Sequence, residues 1–274
     1  MSPLLIDLWI LAGLSALTWL ASLATREYSW VDRIWSIVPL AYVWVYAAKA
    51  GASNPRLLMM AVLVTVWGAR LTLNFARKGG YAPGGEDYRW AHLRGQMPPA
   101  LFQVFNLVFI VAYQNGLLFL ITMPAYLAWL HPSPIGLLDV VLATCFLACL
   151  VGETVADQQQ WNFQQSKKRQ IADGLSPRQR FVQTGLFRYA RHPNFFFEQA
   201  QWWLFFLMGA LAAGSVVQWV VVGPLLLTAL FIGSTRFTEQ ISLQRYPEYA
   251  QYQAAVSALV PWFRRGDAGL VLAS

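Results

Sequence analysis

Charge is scarce in this chain. Lys, Arg, Asp and Glu make up 12% of 274 residues, where a soluble globular domain carries about 25%, so an ordinary soluble fold is excluded. Cysteine is scarcer still. Cys145 and Cys149 are the only two, too few for a disulfide framework, and with three scattered histidines they give no metal-ligand spacing, so no metal site is expected. Both cysteines read as packing residues. The apolar stretches do not alternate with polar residues, which argues against a membrane barrel. No strand-like stretch precedes Gly79-Gly80 or Gly84-Gly85, which excludes the dinucleotide fingerprint of a Rossmann fold. Repeats, low-complexity tracts and long Pro/Gly/Ser linkers are absent as well, so residues 1–274 are expected to form one domain. Met1-Ser2-Pro3-Leu4 enters hydrophobic sequence without a basic leader or small-residue cleavage site, so the first apolar segment is expected to be retained.

What the chain has is apolar length: 57% of it is hydrophobic, with 13 Trp and 17 Phe. Runs of about 20 residues suffice to cross a bilayer, and seven can be drawn, at roughly 3–24, 31–50, 56–76, 100–130, 135–157, 196–213 and 215–235. The fourth is expected to bend near Pro124. The fold class expected is therefore all-α, an integral membrane bundle of seven transmembrane helices. Net charge is +7, and the basic residues gather in a few loops, which the positive-inside rule explains without nucleic acid. With the N-terminus outside and the C-terminus cytoplasmic, the loops at Arg26 and Arg33, Arg77–Arg94, Lys167–Arg191 and Arg236–Arg265 are cytoplasmic. Lys49 and Arg56 then fall outside.

Two of these loops combine glycine and base: Arg77 to Trp90, containing Asp87 and Arg89, and Lys167 to Arg191, containing Arg180. Glycine admits close backbone approach and arginine offers phosphate a fork of donors; headgroup-facing loops are the equal alternative. Within the spans, Arg70, Asn74 and Arg77 share one helix face, as a stripe toward a cavity would. Gln103, Asn106, Gln114 and Asn115 suit interhelical hydrogen bonds at least as well as ligand contacts. Glu153 and Asp157 lie four apart, and a carboxylate pair at membrane depth calls for a cation or ligand. For Asp157, a nucleotide amide or ribose and a salt bridge to Arg70 or Arg191 stand equal. Asp32 beside Arg33 is either an interfacial anchor or, if turned inward, a desolvated acid able to donate a proton.

The densest polar cluster is Gly185-Leu186-Phe187-Arg188-Tyr189-Ala190-Arg191-His192-Pro193-Asn194, followed by Glu198. Pro193 suits the first turn of a helix, which places the cluster at that helix's positive end, where free N–H groups favour an anion such as phosphate. Glu198 follows Asn194 by four and shares its face.

Thr184 through Glu198 resembles the G-L-[FW]-x-Y-x-R-H-P-N-Y-x-G-E signature of bacterial membrane proteins in the steroid 5-alpha-reductase superfamily. Val31-Asp32-Arg33-Ile34-Trp35, Trp67-Gly68-Ala69-Arg70-Leu71, Gly85-Glu86-Asp87-Tyr88-Arg89-Trp90, Gly152-Glu153-Thr154-Val155-Ala156-Asp157 and Arg245-Tyr246-Pro247-Glu248-Tyr249 follow the family in the same order. The resemblance implies seven helices enclosing NADPH, with the cofactor-binding part mainly at 67–94 and 150–265. It places Arg70, Asn74, Asp87, Arg89, Asp157, Arg180, Arg188, Tyr189, Arg191, His192, Asn194 and Glu198 around the cofactor. Asp32 falls where the animal enzymes carry a glutamate that polarises the substrate carbonyl. The family's partner tyrosine falls at Trp67, so the identity of the proton donor stays open, and Phe197 replaces the usual glycine.

The implied activity is NADPH-dependent reduction of the C=C bond of a hydrophobic enone such as a 3-oxo-4-ene steroid. Asp32, with Gln114, would polarise the carbonyl while hydride reaches the β-carbon. The partners implied are that substrate and the lipid bilayer, with no nucleic acid and no obligate protein partner, in a multi-pass protein of the bacterial inner membrane. The R-H-P motif with a following glutamate also resembles membrane methyltransferases of the isoprenylcysteine and phospholipid type, which use S-adenosylmethionine, and this is the alternative. A transporter or scaffold would explain the apolar spans but not the cluster at one helix start.

Overall fold

The computed structural model describes residues 1–177 and 179–264; Arg265, the last base of the fourth loop, lies outside the described residues. Helices occupy 77% of the described residues, and no strand forms among them. Among the described residues, five stretches are long and apolar enough to cross a membrane: Pro3–Thr25, Pro55–Arg77, Pro99–Leu130, Leu137–Ala172 and Trp219–Arg245. By length and composition this is a multi-pass helical membrane protein.

The helices start where short polar side chains and prolines direct. Ser2 Oγ accepts from Leu5 N at 3.3 Å and Pro3 opens α1 (Pro3–Thr25), which ends at Arg26 in the left-handed region, φ 57°. Asn54 caps α4 (Pro55–Arg77), its Oδ1 accepting from Leu57 N at 3.1 Å. Between them the second expected span is broken: α2 (Trp30–Ile34) stops, a turn follows, and α3 (Val38–Ala50) resumes with Pro39 in its first turn. At about 1.5 Å per residue α3 alone is some 20 Å long, short of a roughly 30 Å hydrocarbon core. The loop from Arg77 is shorter than expected, because Tyr88 to Gln96 form α5, capped by Asp87. The fourth span is α6 (Pro99–Phe105), a π-helical stretch Asn106–Tyr113 and α7 (Gln114–Leu130), so its irregularity precedes Pro124. The fifth expected span is exceeded by α8 (Leu137–Ala172), which continues through Lys167. After it come α9 (Pro193–Ala212), α10 (Val222–Arg245) and α11 (Tyr249–Ala255).

The chain divides into two compact units: Met1–Phe146 with Trp202–Leu227, and Leu147–Gln201 with Thr228–Ser274. In the first, small residues let helices meet closely. A Cβ on Gly209 of α9 would lie 2.5 Å from Pro124 O, and one on Gly223 of α10 would lie 2.4 Å from Leu120 O. Amides join α1 to the fourth span: Asn106 Nδ2 donates to Ser22 Oγ at 2.9 Å and Asn115 Nδ2 to Thr18 Oγ1 at 3.2 Å. Interhelical bonding is thus the role the structure gives these two amides. Arg56, expected in an outer loop, is buried instead: its Nε reaches Asp139 Oδ1 at 2.6 Å and its Nη2 reaches Oδ2 at 2.9 Å, tying α4 to the start of α8. Cys145 is exposed and Cys149 half-buried, so Cys145 faces outward rather than packing inside. In the second unit, Phe181 packs with Tyr249, Tyr252 and Val256, and Val182 and Phe187 pack against Ala156.

Candidate functional site

In the first unit, the segment around α2 is stitched to the glycine loop that follows α4. Arg33 Nη2 holds Glu27 Oε2 at 2.6 Å, Arg33 Nε donates to Gly80 O at 3.2 Å, and Tyr81 OH donates to Arg33 O at 3.1 Å. Glu27 Oε1 also accepts from Gly84 N at 3.2 Å, and the Arg33 bond holds its carboxyl below the usual range. Tyr28 N donates to Glu86 Oε1 and Asp87 N to Ser29 Oγ, both at 2.9 Å. The turn depends on glycine: Gly79 and Gly84 have φ of 84° and 75°, conformations that L side chains resist.

Asp32 sits inside this stitched strap, half-buried, and Trp90 Nε1 donates to its Oδ2 at 2.8 Å. Burial raises the carboxyl above its usual 3.8, against the opposing pull of Arg89. Asp87 and Arg89 are joined to each other, Nε to Oδ1 at 2.9 Å and Nη2 to Oδ2 at 2.8 Å. A Cβ on Gly68 would meet Ser36 O at 2.4 Å, so the glycine of Trp67-Gly68-Ala69-Arg70 is what lets α4 lie against the turn after Asp32. Ser36 Oγ and Thr72 Oγ1 share a hydrogen bond at 2.7 Å on the same contact. Asn74 is buried and accepts from Arg77 Nε at 2.9 Å; Arg70 is half-buried and Gln114 buried at the start of α7. Trp67, where the resemblance implies a tyrosine, is fully buried edge-on to Trp202 at 4.9 Å between ring centroids.

The second unit assembles the signature at the start of α9, which begins at Pro193 as the sequence predicts. Gly185 has φ 62°, and a Cβ there would strike the Gln159 side chain at 2.5 Å, where Gln159 Oε1 accepts from Leu186 N at 2.9 Å. Beyond it, Arg191 is held on several sides. Its Nε and Nη2 grip the two oxygens of Glu239 at 2.6 and 3.0 Å, and its Nη1 donates to Gln253 O at 2.9 Å and to Val256 O. Glu239 is the hub, which the sequence reading did not select. It also meets His192 Nε2 at 3.1 Å and accepts from Gln253 Nε2 at 2.8 Å. The backbone N–H groups of Arg191 and His192 donate to Ser257 O and Ala258 O at 2.8 and 3.0 Å.

The remaining expected residues of this unit divide by exposure. Arg188 and Tyr189 are exposed beside the pinned Arg191, while Asn194 is half-buried and Asp157 and Glu198 are buried. Arg180 is exposed, 3.5 Å from Glu248, and its carbonyl accepts from Lys167 Nζ at 2.7 Å. The carboxylate gripping Arg191 is Glu239, not the Asp157 the sequence offered as one alternative. Phe197, where the resemblance implies glycine, is accommodated by a glycine elsewhere: a Cβ on Gly152 would lie 2.6 Å from its ring. Glu153 Oε2 accepts from Gln201 Nε2 at 2.7 Å. A cleft of about 470 Å³ opens against Arg191, lined also by Gln253, Ser257, Val260, Trp262 and Phe263.

The apolar helices make this a multi-pass membrane protein by length and composition; one unit carries a glycine-strapped acid and the other a pinned Arg-His pair. Residues 18–256 match the family described as "Protein of unknown function (DUF1295)", and the chain belongs to it. It is 37% identical over 275 residues to an uncharacterized protein of Schizosaccharomyces pombe, across 95% of this chain and 80% of that protein. No solved structure matches it.

Proposed function

We propose that this protein is an NADPH-dependent membrane reductase acting on the C=C bond of a hydrophobic enone. The observation that carries this reading is the locked signature: Arg191 and His192 are fixed on Glu239 while Arg188 and Tyr189 stand exposed beside them. The family to which the chain belongs includes steroid 5-alpha-reductase-like members, which supports the same reading. Seven spans, with the N-terminus outside and both basic loops at the cytoplasmic face of a bacterial inner membrane, complete it.

The residues present fit a phosphate-bearing dinucleotide. Arg188 and Arg180 offer exposed guanidinium forks for phosphate, Tyr189 offers a ring face, and Asn194, Glu198 and Asp157 offer amide and carboxylate partners for amide and ribose groups. Arg191 is assigned a different part from the one its motif implies, since its donors already serve Glu239 and two carbonyls; it orients the segment that holds the ligand. The resemblance also gives cofactor roles to Arg70, Asn74, Asp87 and Arg89, of which Asp87 and Arg89 are paired with each other. Bound NADPH would supply the hydride for the β-carbon. Asp32, kept protonated to higher pH by burial, donates a hydrogen bond to the substrate carbonyl with the Gln114 amide, and a preorganised donor of this kind is worth a few kcal/mol as charge builds on oxygen.

The test is mass spectrometry of the nucleotide that copurifies, with NADPH oxidation followed on addition of a 3-oxo-4-ene steroid. Asp32→Asn should keep NADPH and lose turnover, and Asn194→Ala should lose NADPH. Protein that retains no NADPH and oxidises none with any enone ends the proposal. The second reading, an S-adenosylmethionine-dependent methyltransferase, gains from Glu239, a carboxylate on a late helix set under the Arg-His pair. Retention of S-adenosylmethionine would put that reading in its place.

A further inference from the structure

Three cations from three separate segments of the second unit gather about one ring. Lys167 Nζ, near the end of α8, lies 4.9 Å from the centroid of Tyr246. The guanidinium of Arg245, the last residue of α10, lies 5.5 Å from it, and that of Arg180, in the connection between α8 and α9, lies 6.0 Å from it. The ring is fixed in turn: it is half-buried and packs against Phe181 at 6.4 Å between centroids, on the flank of the Tyr249 and Tyr252 cluster.

Lys167 is positioned without being neutralised. Its ammonium donates to Arg180 O at 2.7 Å and to Tyr246 OH at 3.0 Å. Both acceptors are uncharged, and an ammonium has three donors, so its charge and one N–H stay available. Tyr246 accepts that bond and keeps its own proton to donate. Among the described residues neither Lys167 nor Arg245 has a carboxylate partner; the one carboxylate paired with the group is Glu248, 3.5 Å from Arg180 Nε and 42% exposed. A pair that long and that open contributes little. A cation over an exposed ring gains only about 0.5–1 kcal/mol, yet here a packed ring and two hydrogen bonds keep three like charges together at the surface.

The charge count names the ligand. Three positive groups against the single carboxylate of Glu248 leave an excess of two, and a phosphate monoester brings about −1.5 to −2 at neutral pH with three strong acceptor oxygens. A carboxylate or a phosphodiester brings one charge. The donors on hand are the third N–H of Lys167, the guanidinium forks of Arg180 and Arg245, and the Tyr246 phenol, and arginine forks suit phosphate oxygens. Lys167 stands about 45 Å along α8 from its start at Leu137, at about 1.5 Å per residue, beyond a hydrocarbon core of roughly 30 Å. The site is therefore on the aqueous side.

We propose that Lys167, Arg180 and Arg245, set around Tyr246, bind a phosphate monoester. For its ligand the proposal rests on the reductase reading: there the group is the 2′-phosphate of NADPH, and this cluster selects NADPH over NADH. The monoester headgroup of phosphatidic acid presents the same chemistry.

The test is isothermal titration of the purified full-length protein in detergent with NADPH and NADH, and separately with dioctanoyl phosphatidic acid and dioctanoyl phosphatidylcholine. Wild type should bind NADPH at least about tenfold more tightly than NADH, and Arg245→Gln and Lys167→Gln should each bring that ratio below about threefold with NADH affinity unchanged. Lys168→Gln removes an equal charge from the exposed neighbouring position and should leave the ratio as it is in wild type. A preference for phosphatidic acid that these two variants abolish, with the nucleotide ratio untouched, supports the monoester site and assigns its ligand to the lipid. Wild type that shows neither preference, preferences that survive Arg245→Gln, or an equal loss in Lys168→Gln overturns the proposal. If neither nucleotide binds, the reductase reading fails and the phosphatidic acid titration alone decides the site. Arg245 makes no hydrogen bond among the described residues, so Arg245→Gln decides should Lys167→Gln fail to fold.

Discussion

Removing Glu239 gives the sharpest test of how the signature is built. Its carboxylate takes two donors from Arg191, at 2.6 and 3.0 Å, one from Gln253 at 2.8 Å, and a contact with His192 at 3.1 Å. The Arg191 and Glu239 side chains are only 10% and 8% exposed, so solvent does little to replace what is lost. Glu239→Ala leaves the guanidinium largely enclosed with only carbonyl partners, and breaking a buried pair on one side costs about 3–5 kcal/mol. At about 2 °C per kcal/mol for a chain of this size, the melting temperature should drop by roughly 6 °C or more. The assay is thermal unfolding in detergent, followed by tryptophan fluorescence. A double-mutant cycle isolates the pair: in an Arg191→Met background the same Glu239→Ala change should cost less than about 1 kcal/mol, because no stranded charge remains. A melting temperature within 1 °C of wild type for Glu239→Ala would refute the idea that Glu239 holds the signature in place. So would equal costs in the two backgrounds.

Further outcomes are expected. Asp139→Ala should destabilise by about 3–5 kcal/mol by stranding buried Arg56, whereas Glu248→Gln, which touches only the exposed pair with Arg180, should change unfolding by less than about 1 kcal/mol. Asp32 has its carboxyl raised by burial, so between its ordinary value of 3.8 and the raised one the folded state binds more protons than the unfolded. Stability therefore falls as pH rises through that window, and Asp32→Asn should flatten the melting-temperature profile there. Turnover should fall as pH rises through the same raised value. Gly209→Ala puts a methyl group against the Pro124 carbonyl and should cost about 1–3 kcal/mol of overpacking, read as a lower melting temperature with unchanged helix content by circular dichroism.

The sequence exposes what is local and hides what is tertiary. Continuous apolar runs announced the long helices, Pro193 announced the start of α9, and Asn106 and Asn115 read correctly as candidates for interhelical bonds. The break between Ile34 and Val38 was obscured because Trp35, Ser36 and Ile37 continue an apolar run without a glycine or proline to mark the turn. Lys167 was assigned to a loop because polarity rises after Asp157, yet α8 continues to Ala172. Glu239, noted in the sequence only as part of Thr238-Glu239 where the methyltransferases carry paired glutamates, was not selected as a site residue because its Arg191 and His192 partners lie 48 and 47 residues away, and Arg56 meets Asp139 at a separation of 83. No spacing rule reaches that far. Asp7 was hidden differently: nothing in its local sequence sets it apart, and only the structure shows that α1 has an inverted face, burying Asp7, Thr18 and Ser22 while Leu5, Leu8, Leu17, Leu20 and Leu23 are exposed.

That inverted face has a consequence for biogenesis. α1 emerges from the ribosome before Tyr42, Tyr46, Asn106 and Asn115 have been synthesised, so Asp7, Thr18 and Ser22 meet the bilayer before the walls that will enclose them exist. A carboxyl at a helix centre carries an insertion cost of about 2.5–3.5 kcal/mol, and placing it near the end of a helix whose mean hydropathy reaches 1.9 keeps entry favourable. The segment is therefore stable enough to insert alone but incomplete until α3 and α7 arrive. Order of synthesis, and any chaperone that shelters α1 during the wait, becomes part of how this protein acquires its interior.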